Sequence, residues 1–201
     1  IHTFNAMLSI ARLEAGIDSA EWRQTPMGDL AGELAELYEA VAEEDDNLTF
    51  ISNIRSNPSF HCNRHLIGQA ITNLLDNAIK YASRPSQVTL TVDGDSDAFT
   101  VSVSDNGPGI PEEERERVFE RFVRLENERN SPGNGLGLSL VQAVVRLHSA
   151  RLTLADNNPG LVVSIHFGPL RKPKPRKSRR RLKRRKKPAI AGALDQTTKA
   201  A

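Results

Sequence analysis

Residues 71–82 read ITNLLDNAIKYA. At about 100° per residue, Asn73, Asn77 and Lys80 fall in one narrow sector, while Ile67, Ile71, Leu74, Leu75, Ala78 and Ile79 cover the opposite side. The spacing predicts a helix over 64–82 that buries one face and presents two amides and an ammonium on the other. Amide oxygens are hard, neutral ligands suited to Mg²⁺, which keeps waters and phosphate oxygens of its own. Lys80 would then face a phosphate. An ordinary amphipathic helix with a solvated polar face accounts for the same pattern.

Two glycine-rich stretches lie downstream. In SDNGPGI, residues 104–110, Asp105 opens a D-x-G-x-G at the end of an alternating strand. Adenine presents an amino donor where guanine presents a carbonyl acceptor, so a buried carboxylate here would accept from adenine and repel guanine. Gly107 and Gly109 let the backbone approach a flat base and adopt positive φ. Read alone, D-N-G-P-G is first of all a turn. In SPGNGLGLSL, residues 131–140, Gly133, Gly135 and Gly137 precede an apolar run. They lead into a helix whose first N–H groups are unpaired and attract anions. No Lys follows as in G-x-x-x-x-G-K-[ST], and Leu138 stands where G-x-G-x-x-G needs its third glycine. By itself this is a flexible loop ending in a helix start.

Around these motifs, the pattern predicts a helix over 27–44, strands in LTFISNI and SFHCN, and a hairpin of QVTLTVD and AFTVSVSD about DGDSD. PEEERERVFERF reads as a helix, with Pro111 in its first turn and acids near its start. Residues 123–134 are polar and loop-like. GLGLSLVQAVVRLH is a helix, and ARLTLAD and GLVVSIHF are strands. Residues 1–16 have helical spacing up to Gly16, and 17–26 read as a linker. The expected fold class is α/β, a two-layer sandwich of a mixed β-sheet backed by α-helices.

The composition of the 201 residues, 38% hydrophobic and 26% charged, is that of a globular protein. No run of roughly 18 apolar residues suggests a membrane span, and no signal-peptide pattern is present. Because residue 1 is Ile, a piece of a longer protein is expected. Cys62 is the lone cysteine, which excludes an internal disulfide and fits a reducing compartment. The net charge of +2 conceals two opposed parts. Residues 171–187, RKPKPRKSRRRLKRRKK, hold 13 of the 27 basic residues, leaving 14 against 25 acids elsewhere, a balance of −11. Such a run is expected to be disordered. It could contact the acidic body, an anionic membrane or nucleic acid, although no aromatics are interleaved for base stacking.

Taken together, the motifs resemble the catalytic and ATP-binding domain of sensor histidine kinases. ITNLLDNAIKY looks like that family's N box, DNGPG its G1 box, FERF (119–122) its F box and GNGLGL its G2 box, all in the family's order. The resemblance covers roughly residues 1–168 and implies ATP held under a mobile lid. It implies that Asn77 holds Mg²⁺, that Asn73 supports the phosphate site, and that Lys80 and Tyr81 line the nucleotide. Asp105 would read the adenine amino group, with Gly107 and Gly109 shaping the base pocket. Phe119 and Phe122 would anchor a lid running from about Val123 to Pro132, a role compatible with two core aromatics on a short helix. Arg121, Arg124 and Arg129 would be available to the triphosphate. Gly133, Gly135 and Gly137 would hinge the lid and hand the phosphates to the helix beginning near Leu136.

The same ATP fold serves gyrase, a mismatch-repair ATPase and a heat-shock chaperone, which use a Glu general base four residues before the metal-binding Asn. Here that position is Asn73, and an amide cannot take a proton from water. The resemblance therefore implies phosphotransfer rather than hydrolysis. IHTFNAMLSIARLEAG, residues 1–16, resembles the end of the dimerisation and phosphoacceptor hairpin. Residues 17–26 would be a linker, 27–168 the catalytic domain and 169–201 the tail. None of His2, His61, His65, His148 or His166 has the flanking pattern of the acceptor, which is expected upstream of Ile1. His148 is expected to be packed or partly exposed at a helix end. The implied partners are ATP, a response-regulator receiver domain and a second copy through the hairpin. The implied setting is a cytoplasmic domain of a membrane-anchored protein. Two other readings stay open: a regulatory nucleotide-binding module without phosphotransfer, and a nucleic-acid-associated ATPase.

Overall fold

The alternation in V-T-L-T-V and F-T-V-S-V-S-D gives each strand one apolar and one hydroxyl-bearing face. A computed structural model of the chain describes residues 22–124 and 135–169. Its elements are β1 (Trp22–Pro26), α1 (Met27–Glu43), β2 (Leu48–Ile54), β3 (Ser59–Asn63), α2 (Arg64–Tyr81), β4 (Ser86–Gly94), β5 (Phe99–Asp105), α3 (Gly137–Leu147), β6 (Arg151–Asp156) and β7 (Leu161–Phe167). Five strands form a mixed sheet in the order β2-β4-β5-β7-β6, in which β2 and β4 run parallel and the other pairs antiparallel.

One face of this sheet carries the core. Val88, Leu90 and Val92 of β4, Val101 and Val103 of β5, and Val163, Ile165 and Phe167 of β7 are buried with the apolar faces of the three helices. Full burial of each such side chain contributes roughly 1.5–3 kcal/mol. From α2 come Leu66, Ile67, Ala70, Ile71, Leu74, Leu75 and Ala78, close to the stripe expected from sequence, with Ile79 only partly buried. Thr89, Thr91, Thr100, Ser102, Ser104, Ser164 and His166 alternate onto the opposite face. The expected two-layer sandwich is the observed architecture.

Two expectations need correction. Residues 22–26, read as the end of a linker, form β1, which pairs antiparallel with β3 from Trp22↔Asn63 to Pro26↔Ser59. Only Thr25 of this strand is buried, so no apolar alternation marked it. Residues 111–122 are not an α-helix but two 3₁₀ turns, Glu112–Glu114 and Arg117–Phe119. Among them only Val118 is buried, too little apolar surface to hold a helix face. The segment is pinned instead by Arg115, which donates from Nε to the Ile110 carbonyl at 3.0 Å and pairs with Asp156. The expected helix at 1–16, residues 17–21, residues 125–134 and the tail after Pro169 lie outside the described residues.

The helix starts are held from a distance. Asn57, between β2 and β3, accepts from Gly28 N–H at 2.7 Å and Asp29 N–H at 3.2 Å, capping α1. Asn63 caps α2 by accepting from Leu66 N–H at 3.1 Å, and its own N–H donates to His148 Nε2 at 3.1 Å. His148 Nδ1 lies 2.8 Å from the Val144 carbonyl, and the ring stacks on Trp22 with centroids 4.7 Å apart. One nitrogen accepts while the other donates, so the buried imidazole is neutral. His148 thus packs as expected and joins α3, β1 and the start of α2.

Burial lowers the His148 pKa below its usual value, and burial also lowers that of His166. Between the folded and unfolded values the unfolded chain binds more protons, so stability must fall as pH drops through about 6.5. Urea unfolding at pH 7.5 and 5.5 should show this loss. His148→Gln should reduce the slope without abolishing it, because His166 still contributes. An unchanged slope in that variant would show that His148 is not a source of the pH dependence.

Candidate functional site

The amides on α2 meet the start of α3. Asn73 donates from Nδ2 to the Gln69 carbonyl at 2.8 Å, which fixes the amide plane. A Cβ built on Gly137 would lie 3.3 Å from Asn73 Oδ1 and 3.5 Å from Asn77 Nδ2. The first residue of α3 therefore leaves room beside both amides. In α3 the first i→i−4 bond runs from Leu140 N–H to the Leu136 carbonyl at 3.0 Å, so the N–H groups of residues 137–139 precede the helical ladder. Leu136 itself is buried and occupies the N-cap position, so only its main chain is available to a ligand.

At the other end of the amide row stands Asp105. It closes β5 with 8% of its surface exposed. Burial raises its pKa, opposed by hydrogen bonds from Gly107 N–H at 2.8 Å and Leu161 N–H at 3.4 Å. Among the described residues both donors reach Oδ1, which leaves Oδ2 for a donor on a ligand. Gly107 lies against the end of α2, where a Cβ would come within 2.3 Å of the Tyr81 carbonyl. Gly109 has φ +73°, a conformation that favours glycine. The three motifs, separated in sequence, thus come together along α2, with Gly107 at Tyr81 and Gly137 at Asn73 and Asn77.

Lys80 extends over the neighbouring phenol, with Nζ 2.7 Å from the Tyr81 hydroxyl and 4.4 Å from the ring centroid. Among the described residues no group of three His, Cys, Asp or Glu side chains could hold a metal ion. A cation beside the α2 amides would rest on amide and phosphate oxygens instead.

The segment between the F-box-like stretch and α3 is tied at its base. Phe122 N–H donates to the Gly135 carbonyl at 2.9 Å, and a Cβ on Gly135, at φ +64°, would come within 2.9 Å of the Val123 carbonyl. Phe122, expected to anchor the base of the lid, is not a core aromatic on a short helix. Its ring is 55% exposed and its backbone has φ 64°, so its main chain rather than its ring makes the tie. Phe119 is half-buried and Val118 is buried. Val123 and Arg124 are half-buried, and Arg121 is exposed. Arg129 and Gly133, with most of the expected lid, lie outside the described residues.

Several residues that hold the site escaped the sequence reading. Asn157 donates from Nδ2 to the Asp105 carbonyl at 2.7 Å, and Gly160 packs against the same carbonyl. Asn106 Oδ1 accepts from Gln87 N–H at 3.0 Å, while its Nδ2 donates to the Pro85 carbonyl at 2.8 Å. The visible signal was N-N-P-G at 157–160, a turn signature. Only the strand order places that turn beside β5.

The two glycines should respond differently to substitution. Gly107→Ala forces a methyl into backbone and should destabilise the fold by about 1–3 kcal/mol. Gly137→Ala meets only adjustable side-chain amides and should cost less than about 0.5 kcal/mol. Chemical denaturation of both variants checks the contrast, and equal losses would contradict the packing described.

The family described as histidine kinase-, DNA gyrase B- and HSP90-like ATPase matches residues 62–171. The adaptive-response sensory kinase SasA of Crocosphaera subtropica is 39% identical over 140 residues, covering 69% of this chain and 36% of that protein. The chain spans about a third of the length of the curated relatives it matches first. Among solved structures, the catalytic domain of histidine kinase ThkA superimposes with a TM-score of 0.65 at 25% identity, over 73% of this chain and 97% of that one. Full-length ShkA in complex with AMPPNP gives a TM-score of 0.69 at 25% identity, over 81% of this chain and 34% of that one. The matched stretch contains all three motifs that come together along α2, and the chain belongs to the histidine kinase-, DNA gyrase B- and HSP90-like ATPase family.

Proposed function

We propose that this domain binds Mg·ATP and transfers the γ-phosphoryl group to a histidine of a sensor-kinase dimerisation hairpin, from which a response-regulator aspartate receives it. The buried Asp105 carboxylate carries the reading. One of its oxygens is held by two backbone N–H groups and the other is open to a donor, the arrangement that accepts the adenine amino group and repels a guanine carbonyl. Gly107 and Gly109 give the base a flat approach. Tyr81 lies at the same end.

At the phosphate end, the early N–H groups of α3 point toward anionic oxygens. Asn77, with Asn73 beside it, fits a Mg²⁺ ion because Gly137 leaves the amides uncovered. When bound, the ion supplies neutralisation of phosphate charge. Lys80, on the same helix face, would face a phosphate oxygen. By the same resemblance, Arg124 would reach the triphosphate, and Gly133 and Gly135 would hinge the segment that covers it. Phosphoryl transfer rests on such positioning and charge stabilisation. The acceptor imidazole nitrogen forms the new N–P bond as the bridging oxygen leaves with ADP, and the imidazole proton passes to an acid beside that histidine. Asn73 cannot serve as a base for water, which favours transfer over hydrolysis.

In the same reading, residues 1–16 end the hairpin through which two copies pair. Residues 27–168, extended by β1, are the catalytic domain, and 169–201 form a basic tail. No helix among the described residues is long and apolar enough to cross a membrane. The domain works on the cytoplasmic side, with anchoring elsewhere in the full protein.

Two measurements test this reading. Asp105→Ala should remain folded yet lose about 1.5–3 kcal/mol of ATP-analogue affinity, roughly ten- to hundredfold. Undiminished binding would place the base elsewhere. With γ-labelled ATP the chain alone should stay unlabelled and should label an added hairpin carrying the acceptor histidine. Nucleotide binding without transfer to that hairpin would favour a regulatory module instead.

A further inference from the structure

The tip of the β6–β7 hairpin, residues 157–160, touches the adenine-reading segment 105–110 at every turn. Asn157 N–H donates to the Gly160 carbonyl at 3.0 Å and closes the hairpin. From that frame, Asn157 Nδ2 reaches the Asp105 carbonyl at 2.7 Å. Gly160, at φ +108°, lies so close that a Cβ would come within 1.9 Å of the same carbonyl oxygen. A Cβ on Gly109 would lie 3.1 Å from the Gly160 carbonyl. Next along the chain, Leu161 N–H donates to the Asp105 carboxylate at 3.4 Å, and Asp156 pairs with the Arg115 that holds the Ile110 carbonyl.

The reason for this crowding lies in the register. The β5–β7 ladder ends at Ser104↔Val162, so Asp105 stands one residue beyond its last pair on that side. Its main-chain carbonyl needs a partner there. Asn157 supplies one from a side chain, which leaves Leu161 N–H to bond the carboxylate rather than continue the ladder. A carboxylate that must meet a planar base edge needs its position fixed to within about 0.5 Å. Residues 105 and 107 alone form a short turn and cannot provide that.

We infer that the 157–160 hairpin tip determines purine selectivity, with Asn157 as the positioning residue that holds Asp105 at the height of the adenine amino group. Asn157 acts through the Asp105 peptide, to whose carbonyl it donates. Gly160 sets the distance of closest approach. This inference rests on the proposed role of Asp105 as the adenine acceptor.

The test is calorimetric titration of the chain with ADP and with inosine diphosphate, which presents a 6-oxo group in place of the 6-amino group. The wild type should prefer ADP. Asn157→Ala should weaken ADP binding by roughly three- to tenfold while inosine diphosphate binding is unchanged, so the preference narrows by the same factor. Asn157→Asp keeps the shape but turns an acceptor toward the Asp105 carbonyl, and should narrow it further. Asn157→Gln, which retains the amide donor, should recover part of the preference. A merely structural role lowers both affinities together, and an ADP preference kept at its wild-type value in Asn157→Ala and Asn157→Asp overturns the inference. Asp105→Ala, titrated in parallel, separates the two levels. If it removes the preference while the Asn157 variants do not, only the hairpin's role fails. If Asp105→Ala leaves the preference intact, the adenine reading itself is wrong.

Discussion

A carboxylate buried at the end of a central strand is the constraint around which this domain is arranged. Asp105 loses hydration on burial, a cost of several kcal/mol for an uncompensated charge. Among the described residues the fold offsets it with backbone N–H groups from Gly107 and Leu161. That choice dictates the surroundings. The chain must turn back immediately after 105 to bring Gly107 N–H within reach, and the turn must pass so near the end of α2 that no side chain fits at 107. The β6–β7 hairpin must in turn approach the Asp105 peptide so closely that 160 is glycine as well.

The rest of the scaffold aligns two helices with that strand end. The sheet buries valines, leucines and phenylalanines on one face and leaves hydroxyls and His166 on the other. All three helices therefore pack on one side, and α2 and α3 lie against each other there. Their contact sets the amides of Asn73 and Asn77 beside the uncapped N–H groups of α3. Polar groups of opposite character are thereby separated along α2, with a carboxylate acceptor near its end and N–H donors beside its amides. His148 locks the back of the arrangement, because it is both the end of α3 and the acceptor for the N–H of the α2 cap residue.

Where sequence and structure differ, the deciding term is local apolar content. The segment 111–122 carries favourable acids and a proline at its start, yet offers only Val118 to the core. Two 3₁₀ turns held by Arg115 and the Glu114–Arg117 pair replace the helix. Trp22–Pro26 has no period-2 burial and still forms a strand, since β3 presents an open edge and Trp22 finds His148 to stack on. Phe122 looked like core and is exposed because the backbone must turn through positive φ to meet Gly135. In each case a partner distant in sequence overrode the local preference.

From its residues alone, the chain declared the two-layer α/β sandwich, the amphipathic α2 and the β4–β5 hairpin, and it marked Asn73, Asn77, Lys80, Asp105, Gly107 and Gly137 as candidates for a site. Those features rest on periodicity and on chemistry that one segment carries by itself. Tertiary structure alone decided that Asn157 and Gly160 stand behind the turn that follows Asp105. These are contacts between segments up to about 50 residues apart. They depend on the order β5-β7-β6, which no local pattern encodes, because strand neighbours are chosen by the packing of the whole sheet.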